Sequence, residues 1–152
     1  MIVKQLEFHD LDDAYIIEAS SFTDPWSESL WVGFLPLSYG VFEAGQLLGY
    51  AQCSRVLDEA ELLRMAVLPS HRAQGVGVQL LQAVCAKLAT CGVAKLMLEV
   101  RQSNLAAIAL YRSCGFVIEG QRQNYYEVEG SAQGESALLM SKSLTRDLES
   151  VQ

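Results

Sequence analysis

The sequence predicts one α/β domain, a mixed sheet of about seven strands with about four helices on its faces. Three observations carry this. The 152 residues are 51% apolar and 19% charged, which suits a single core of common size and excludes the composition of a disordered chain. Apolar residues switch along the chain between the period of a strand and the period of a helix. The resulting order is strand, two helices, three strands, helix, strand, helix, two strands. No repeat or linker interrupts it, so the domain is expected to span 1–152, with a core over about 3–144 and a C-terminal tail over 145–152.

Each element has its own signal. Ile2 to Phe8 alternates and reads as the first strand. His9-Asp10-Leu11-Asp12-Asp13 opens a helix, because carboxylates are favoured in a first turn. Its expected apolar face is Leu11, Tyr15, Ile16 and Ala19. Thr23-Asp24-Pro25-Trp26-Ser27 is a turn, and Ser27 caps a short helix whose apolar side is Trp31 and Phe34. Tyr39 to Ala44 and Leu47 to Val56 form a hairpin around Gly45-Gln46. Glu61 to Leu68 is a further strand. Val78, Leu81, Val84, Cys85 and Leu88 recur at helical spacing over Gly75 to Thr90, and Gly92 stops that helix. Lys95 to Val100 is a buried strand, Asn104 to Ser113 a helix ended by Gly115, and Phe116 to Tyr126 and Ala137 to Leu144 are the last strands.

Composition narrows the function. Eleven Lys and Arg against 18 Asp and Glu give a net charge of −7. Such a chain is a poor binder of nucleic acid, which needs clustered cations, and suits a cationic partner such as a basic peptide or polyamine. No apolar run approaches the roughly 18 residues of a membrane helix. The start, Met1-Ile2-Val3-Lys4-Gln5-Leu6-Glu7, lacks the pattern of a secretory signal, so a cytoplasmic location is expected. Four cysteines, with no Cys-x-x-Cys, and only two histidines, His9 and His71, leave little for a zinc site or a Ser-His-Asp triad, and no metal is expected.

The chemistry concentrates in the second half. Arg72-Ala73-Gln74-Gly75-Val76-Gly77-Val78 lies between a strand and a helix. Glycine lets backbone approach a ligand closely, and a helix start aims unpaired N–H groups outward, which makes a phosphate cradle. An ordinary strand-to-helix turn fits the glycines equally well. Leu80 stands where a dinucleotide fingerprint needs its third glycine, and no P-loop lysine is present. Glu99 sits near the C-terminal end of a strand, where open sheets place ligands, or else pairs with Arg101 or Lys95 at the surface. Asn104 and Tyr111 are seven residues apart and share one helix face within about 20°. Asn104 is also a natural helix cap, and Tyr111 a natural half-buried aromatic.

Taken together, Arg-x-x-Gly-x-Gly, a strand ending in Glu99, and Asn104-x-x-Ala-x-x-x-Tyr111-x-x-x-Gly115-Phe116 resemble the GNAT superfamily of acetyl-CoA-dependent N-acetyltransferases. Phe22-Thr-Asp-Pro25-Trp26-Ser27, Val56-Leu-Asp-Glu-Ala-Glu-Leu62, Leu98-Glu-Val-Arg-Gln-Ser-Asn-Leu-Ala-Ala-Ile-Ala-Leu-Tyr111 and Asn124-Tyr-Tyr126 resemble its RimI family. RimI enzymes acetylate the N-terminal alanine of a small-subunit ribosomal protein. The resemblance covers about residues 3 to 144. It implies a sheet whose central strand pair splays apart, with acetyl-CoA in the gap. The implied coenzyme-binding residues are Met65, Ala66 and Val67 for the pantetheine, Arg72, Ala73, Gln74, Gly75, Val76, Gly77 and Val78 for the pyrophosphate, and Asn104. It implies Glu99 as general base, Tyr111 as general acid, and Trp26, Tyr125 and Tyr126 beside the acceptor peptide. The implied partner is the basic N-terminal peptide of a ribosomal protein, with no nucleic acid or membrane, and a monomer is favoured. Arg101 and Arg122 would oppose a basic peptide locally if they face its groove. Ala73 and Val78 replace arginines frequent in the RimI pattern, so weaker coenzyme A binding is expected.

Overall fold

The computed structural model describes residues 1–126 and 135–144, the side chains of 124–126 excepted. Strand β1 (Ile2–Gln5) is followed by helices α1 (Leu11–Ser21) and α2 (Glu28–Phe34). Strands β2 (Ser38–Glu43), β3 (Gln46–Val56) and β4 (Glu59–Val67) come next. Then follow α3 (Val76–Thr90), β5 (Lys95–Arg101), α4 (Leu105–Ser113), β6 (Val117–Tyr126) and β7 (Glu135–Ser143). The expected mixed sheet is present, in the order β1-β2-β3-β4-β5-β7-β6. Among the described residues only β4 and β5 pair in parallel, as two strands joined through a crossover helix must. The other neighbours are antiparallel.

Alternation along the strands builds two cores. On one face Leu48, Ala51, Ala60, Leu62, Leu96 and Leu98 pack with the α3 side chains Leu80, Leu81, Val84 and Leu88. On the other face Leu47, Tyr50 and Ala66 meet Ala14, Ile17 and Trp31 of α1 and α2. Trp31 and Tyr50 stack edge to face at 4.8 Å.

Two expectations fail at the N-terminus. The first strand stops at Gln5, not Phe8. The Glu7 N–H donates to Asp10 Oδ2 at 2.9 Å and the Asp10 N–H to the Glu7 carbonyl at 2.9 Å. These bonds coil Phe8–Asp10 into a 3-10 turn. The buried face of α1 is Ala14, Ile17 and Glu18, while Tyr15, Ile16 and Ala19 are exposed. Glu18 shares that face because it pairs with Arg64 of β4. The Ser27 cap is formed, with its Oγ accepting from the Leu30 N–H at 3.4 Å.

The feature that matters most is in the middle of the sheet. The β4–β5 ladder runs only from Glu59↔Lys95 to Leu62↔Leu98. On the other side of β4 the register with β3 slips, from Cys53↔Leu62 to Gln52↔Arg64, so Leu63 is an extra residue. Such a bulge bends and twists its strand. Beyond it β4 continues to Val67 and β5 to Arg101 without pairing to each other, and a gap opens between them.

Candidate active site

The gap has backbone groups of its own. The Leu68 N–H donates to the Leu48 carbonyl at 2.8 Å. Antiparallel ladders alternate, so Leu68 and Ala66 turn their polar groups toward β3, and Met65 and Val67 turn theirs away from it, toward the gap. Arg72 closes the strand end: its Nε donates to the Val67 carbonyl at 3.1 Å and its Nη2 to Ser21 Oγ at 3.1 Å.

The chain then turns into α3. Ala73 and Gly75 both take left-handed backbone, at φ +60° and +82°. A Cβ built on Gly75 would meet nothing within 4 Å, so the left-handed backbone, not space, calls for glycine. The first intrahelical bond runs from the Gln79 N–H to the Gly75 carbonyl at 3.1 Å. The N–H groups of Val76, Gly77 and Val78 therefore have no partner within the helix and carry its positive dipole end. On the opposite wall Asn104 caps α4, its Oδ1 accepting from the Ala107 N–H at 3.2 Å, and this leaves its amide NH2 as the donor. Tyr111, one face along, packs its ring on Phe116 at 5.9 Å.

These walls enclose a cleft of about 830 Å3. Met65, Ala66, Val67, Arg72, Ala73, Gly75, Gly77, Val78, Asn104 and Tyr111 all line it. Two of the residues expected there do not: Val76 turns into the core at 3% exposure, and Gln74 Nε2 donates to the Ser70 carbonyl at 3.3 Å. Both belong to the turn through their backbone. Phe22, His71 and Leu110 line the cleft as well, without having been singled out. Leu110 neighbours the Asn104–Tyr111 face, so helical spacing could have found it. Phe22 opens the stretch through Ser27 that carries the resemblance, which gives it no role in the cleft, and no local signal points to His71.

Glu99 is elsewhere. Leu98 and Val100 point to the α3 core, so Glu99 lies on the α1–α2 face of the sheet. It lines a second cavity of about 210 Å3 with Glu61, Glu119 and Arg122. Its carboxylate forms an ion pair with Arg122, Nη2 to Oε1 at 3.1 Å. The surface partners read from sequence are occupied differently: Lys95 pairs with Glu119 at 2.9 Å, and Arg101 with Glu135 at 3.2 Å. Hydrogen bonds from Ser141 and then Lys95 hold the Glu119 carboxyl below the usual carboxylate range. Glu99 and Tyr111 thus flank the widened end of β5 from opposite faces of the sheet. Trp26 sits on the α1–α2 face, packed on Phe34 at 5.3 Å. The side chains of Tyr125 and Tyr126 lie outside the described residues. No helix among the described residues is long and apolar enough to cross a membrane.

Comparison with known proteins identifies the fold and the family. Residues 5–116 match the model of the acetyltransferase (GNAT) family. The [ribosomal protein bS18]-alanine N-acetyltransferase of Escherichia coli K12 is 40% identical over 142 residues, 91% of this chain and 95% of the relative. The enzyme of the same name from Haemophilus influenzae is 37% identical over 92% and 97%. The crystal structure of the ribosomal-protein-S18-alanine N-acetyltransferase from E. coli superposes with a TM-score of 0.84 at 38% identity, covering 94% of this chain and 93% of that one. The yncA protein of Salmonella typhimurium, solved with its cofactor acetyl-CoA, shares the fold at 20% identity and a TM-score of 0.74, covering 94% and 93%. The chain therefore belongs to the acetyltransferase (GNAT) family and is an acetyl-CoA-dependent N-acetyltransferase.

Proposed function

We propose that the chain acetylates the N-terminal α-amine of a protein, and that its acceptor is the N-terminal alanine of ribosomal protein bS18. The observation that carries this is the pairing of a donor-lined cleft with a carboxylate-lined cavity across one splayed strand pair. The identity of 40% to a [ribosomal protein bS18]-alanine N-acetyltransferase supports the acceptor, and the net charge of −7 suits a basic peptide.

The cleft suits acetyl-CoA. The orphan N–H groups of Val76, Gly77 and Val78 would take the pyrophosphate, with the backbone of Ala73 to Gly75 beside them. Met65 and Val67 would pair with the pantetheine amides as a strand would, and the Asn104 amide would donate to the coenzyme. Bound acetyl-CoA supplies an activated thioester.

The residues then divide the proton work. An N-terminal α-amine has a pKa of about 7.7 to 8.0, so about a tenth is neutral at pH 7, against under about a thousandth for lysine. One carboxylate, Glu99, suffices as base for such an amine, directly or through a water. The amine nitrogen forms its bond to the acetyl carbon, and the C–S bond breaks. A backbone N–H near Val67 would face the carbonyl oxygen as charge develops there. Tyr111 returns a proton to the departing thiolate, and no covalent enzyme intermediate is needed.

The test is a steady-state assay of thiol release with three acceptors: a basic hexapeptide beginning with alanine, its N-blocked twin carrying a lysine, and spermidine. Turnover on the free alanine peptide alone is expected. Turnover only on the lysine peptide or on spermidine would keep the family and overturn the acceptor.

A further inference from the structure

Glu18 is fully buried in the middle of α1 and is not part of the cleft. Its Oε1 receives Arg64 Nη1 of β4 in a salt bridge. The same guanidinium donates through Nη2 to the Asp24 carbonyl at 3.1 Å. It lies 4.3 Å from the centroid of the Phe22 ring and 5.0 Å from that of Trp26. One arginine, 18% exposed, thus holds four points along residues 18 to 26. It stands immediately before Met65, where β4 has left β5. The Tyr50 hydroxyl, buried against Glu18, has its pKa raised by burial and by that carboxylate.

This is a costly arrangement for stability alone. A buried ion pair rarely outperforms apolar packing, whereas removing one partner leaves a charge stranded. What it uniquely provides is geometry. A planar guanidinium can satisfy a carboxylate and a carbonyl and stack on aromatic faces at once, and a lysine cannot. We propose that Arg64 is a positioning residue for the acceptor: it fixes the segment from Phe22 to Trp26 to the splayed strand, so that one wall of the acceptor groove is set before the peptide arrives. This rests on the proposed acceptor reading and on the family resemblance, which implies that Trp26 flanks the acceptor peptide.

Arg64→Met alone strands Glu18 and can unfold the chain, so the informative variants are Arg64→Lys and the double variant Glu18→Gln/Arg64→Met, which removes both charges. Circular dichroism checks folding. Two readouts are made on each. The first is kinetic. In the double variant, kcat/KM for the alanine hexapeptide falls at least about tenfold, a loss of about 1.4 kcal/mol, with Arg64→Lys between it and the parent. The Kd of coenzyme A, read by calorimetry, rises by less than the peptide loss, because of the four points held by Arg64 only Phe22 lines the coenzyme cleft. The second needs no turnover. Amide exchange of residues 22–26 accelerates in the double variant while that of α3 does not. Unchanged exchange in 22–26, or equal losses for coenzyme and peptide, overturns the proposal. A parent enzyme inactive on the peptide overturns the acceptor reading instead, and the exchange experiment still decides the clamp.

Discussion

The turn into α3 contains a reciprocal pair of perturbations. Ala73 and Gly75 both hold left-handed backbone, yet only one is glycine. For an L-residue this conformation costs about 1 to 2 kcal/mol. At Gly75, where φ is +82° and ψ is 3°, an added Cβ touches nothing within 4 Å. The cost of Gly75→Ala is therefore conformational, not steric. It is offset by about 0.4 to 1 kcal/mol, because alanine narrows the unfolded ensemble. The net loss is about 1 kcal/mol. In a chain of this length that lowers Tm by about 2 to 4 °C. Ala73→Gly runs the argument backwards and raises Tm by up to a similar amount. The two variants also differ in function. Gly75→Ala pulls the turn toward ordinary backbone and re-aims the Val76, Gly77 and Val78 N–H groups, so coenzyme A binds several-fold more weakly. Ala73→Gly leaves them in place. Thermal denaturation and calorimetry of coenzyme A read both effects. If Gly75→Ala keeps both Tm and affinity, the turn is no rigid template. If Ala73→Gly lowers Tm, the strain argument itself is wrong.

Two further outcomes follow from single contacts. Asn104→Ala removes the cap of α4 and costs about 1 kcal/mol, or about 2 to 4 °C in Tm; Asn104→Asp keeps the cap and the Tm but weakens coenzyme A binding by placing a carboxylate at the cleft. Of the four thiols, Cys91 is exposed and Cys53, Cys85 and Cys114 are buried, so native protein takes one equivalent of iodoacetamide quickly and unfolded protein four. Burial, then the neighbouring Cys85, pushes the Cys53 thiol up to about 12. The folded state keeps that proton after the unfolded chain has lost it, so this contribution is intact below the unfolded thiol pKa near 9. It declines as pH rises toward 12, which alkaline urea titrations can follow.

Much of the fold was legible because its signals are local. Ser27 and Asn104 cap helices by contacts three residues away. Val84, Cys85 and Leu88 report one helix face through spacing alone, and the order of strands and helices follows from period. Most of the cleft lining comes from three short stretches, 65–67, 72–78 and 104–111; glycine and helical spacing mark the last two, while 65–67 follows only from the family resemblance. What sequence hid is non-local. Glu18 carries no local sign of burial, and only Arg64, 46 residues later, makes that burial tolerable. Hydropathy therefore put Tyr15 and Ile16 inside when they are outside. Glu99 took its partner from β6, not from Arg101 or Lys95 nearby. The bulge at Leu63, which opens the gap, depends on register with β3 and leaves no mark of its own in the sequence.

The placement of Glu99 and Tyr111 on opposite faces of the sheet allows the two proposed proton steps to be separated experimentally. If Glu99 serves only the acceptor, its importance depends on how much of the amine is already neutral. Between pH 7 and pH 9 the neutral fraction of an α-amine rises from about a tenth to about nine tenths. The defect of Glu99→Gln, expected at about a hundredfold or more in kcat/KM at pH 7, therefore shrinks toward pH 9. In the proposed mechanism Tyr111 serves the leaving thiolate, whose need for a proton does not depend on the amine. The defect of Tyr111→Phe should persist over the same range. Calorimetry of coenzyme A keeps the comparison honest, because neither variant removes a donor of the α3 turn. Parallel pH dependence of the two defects would mean that both residues serve one proton transfer or that neither does, and the division of labour across the sheet would fall with it.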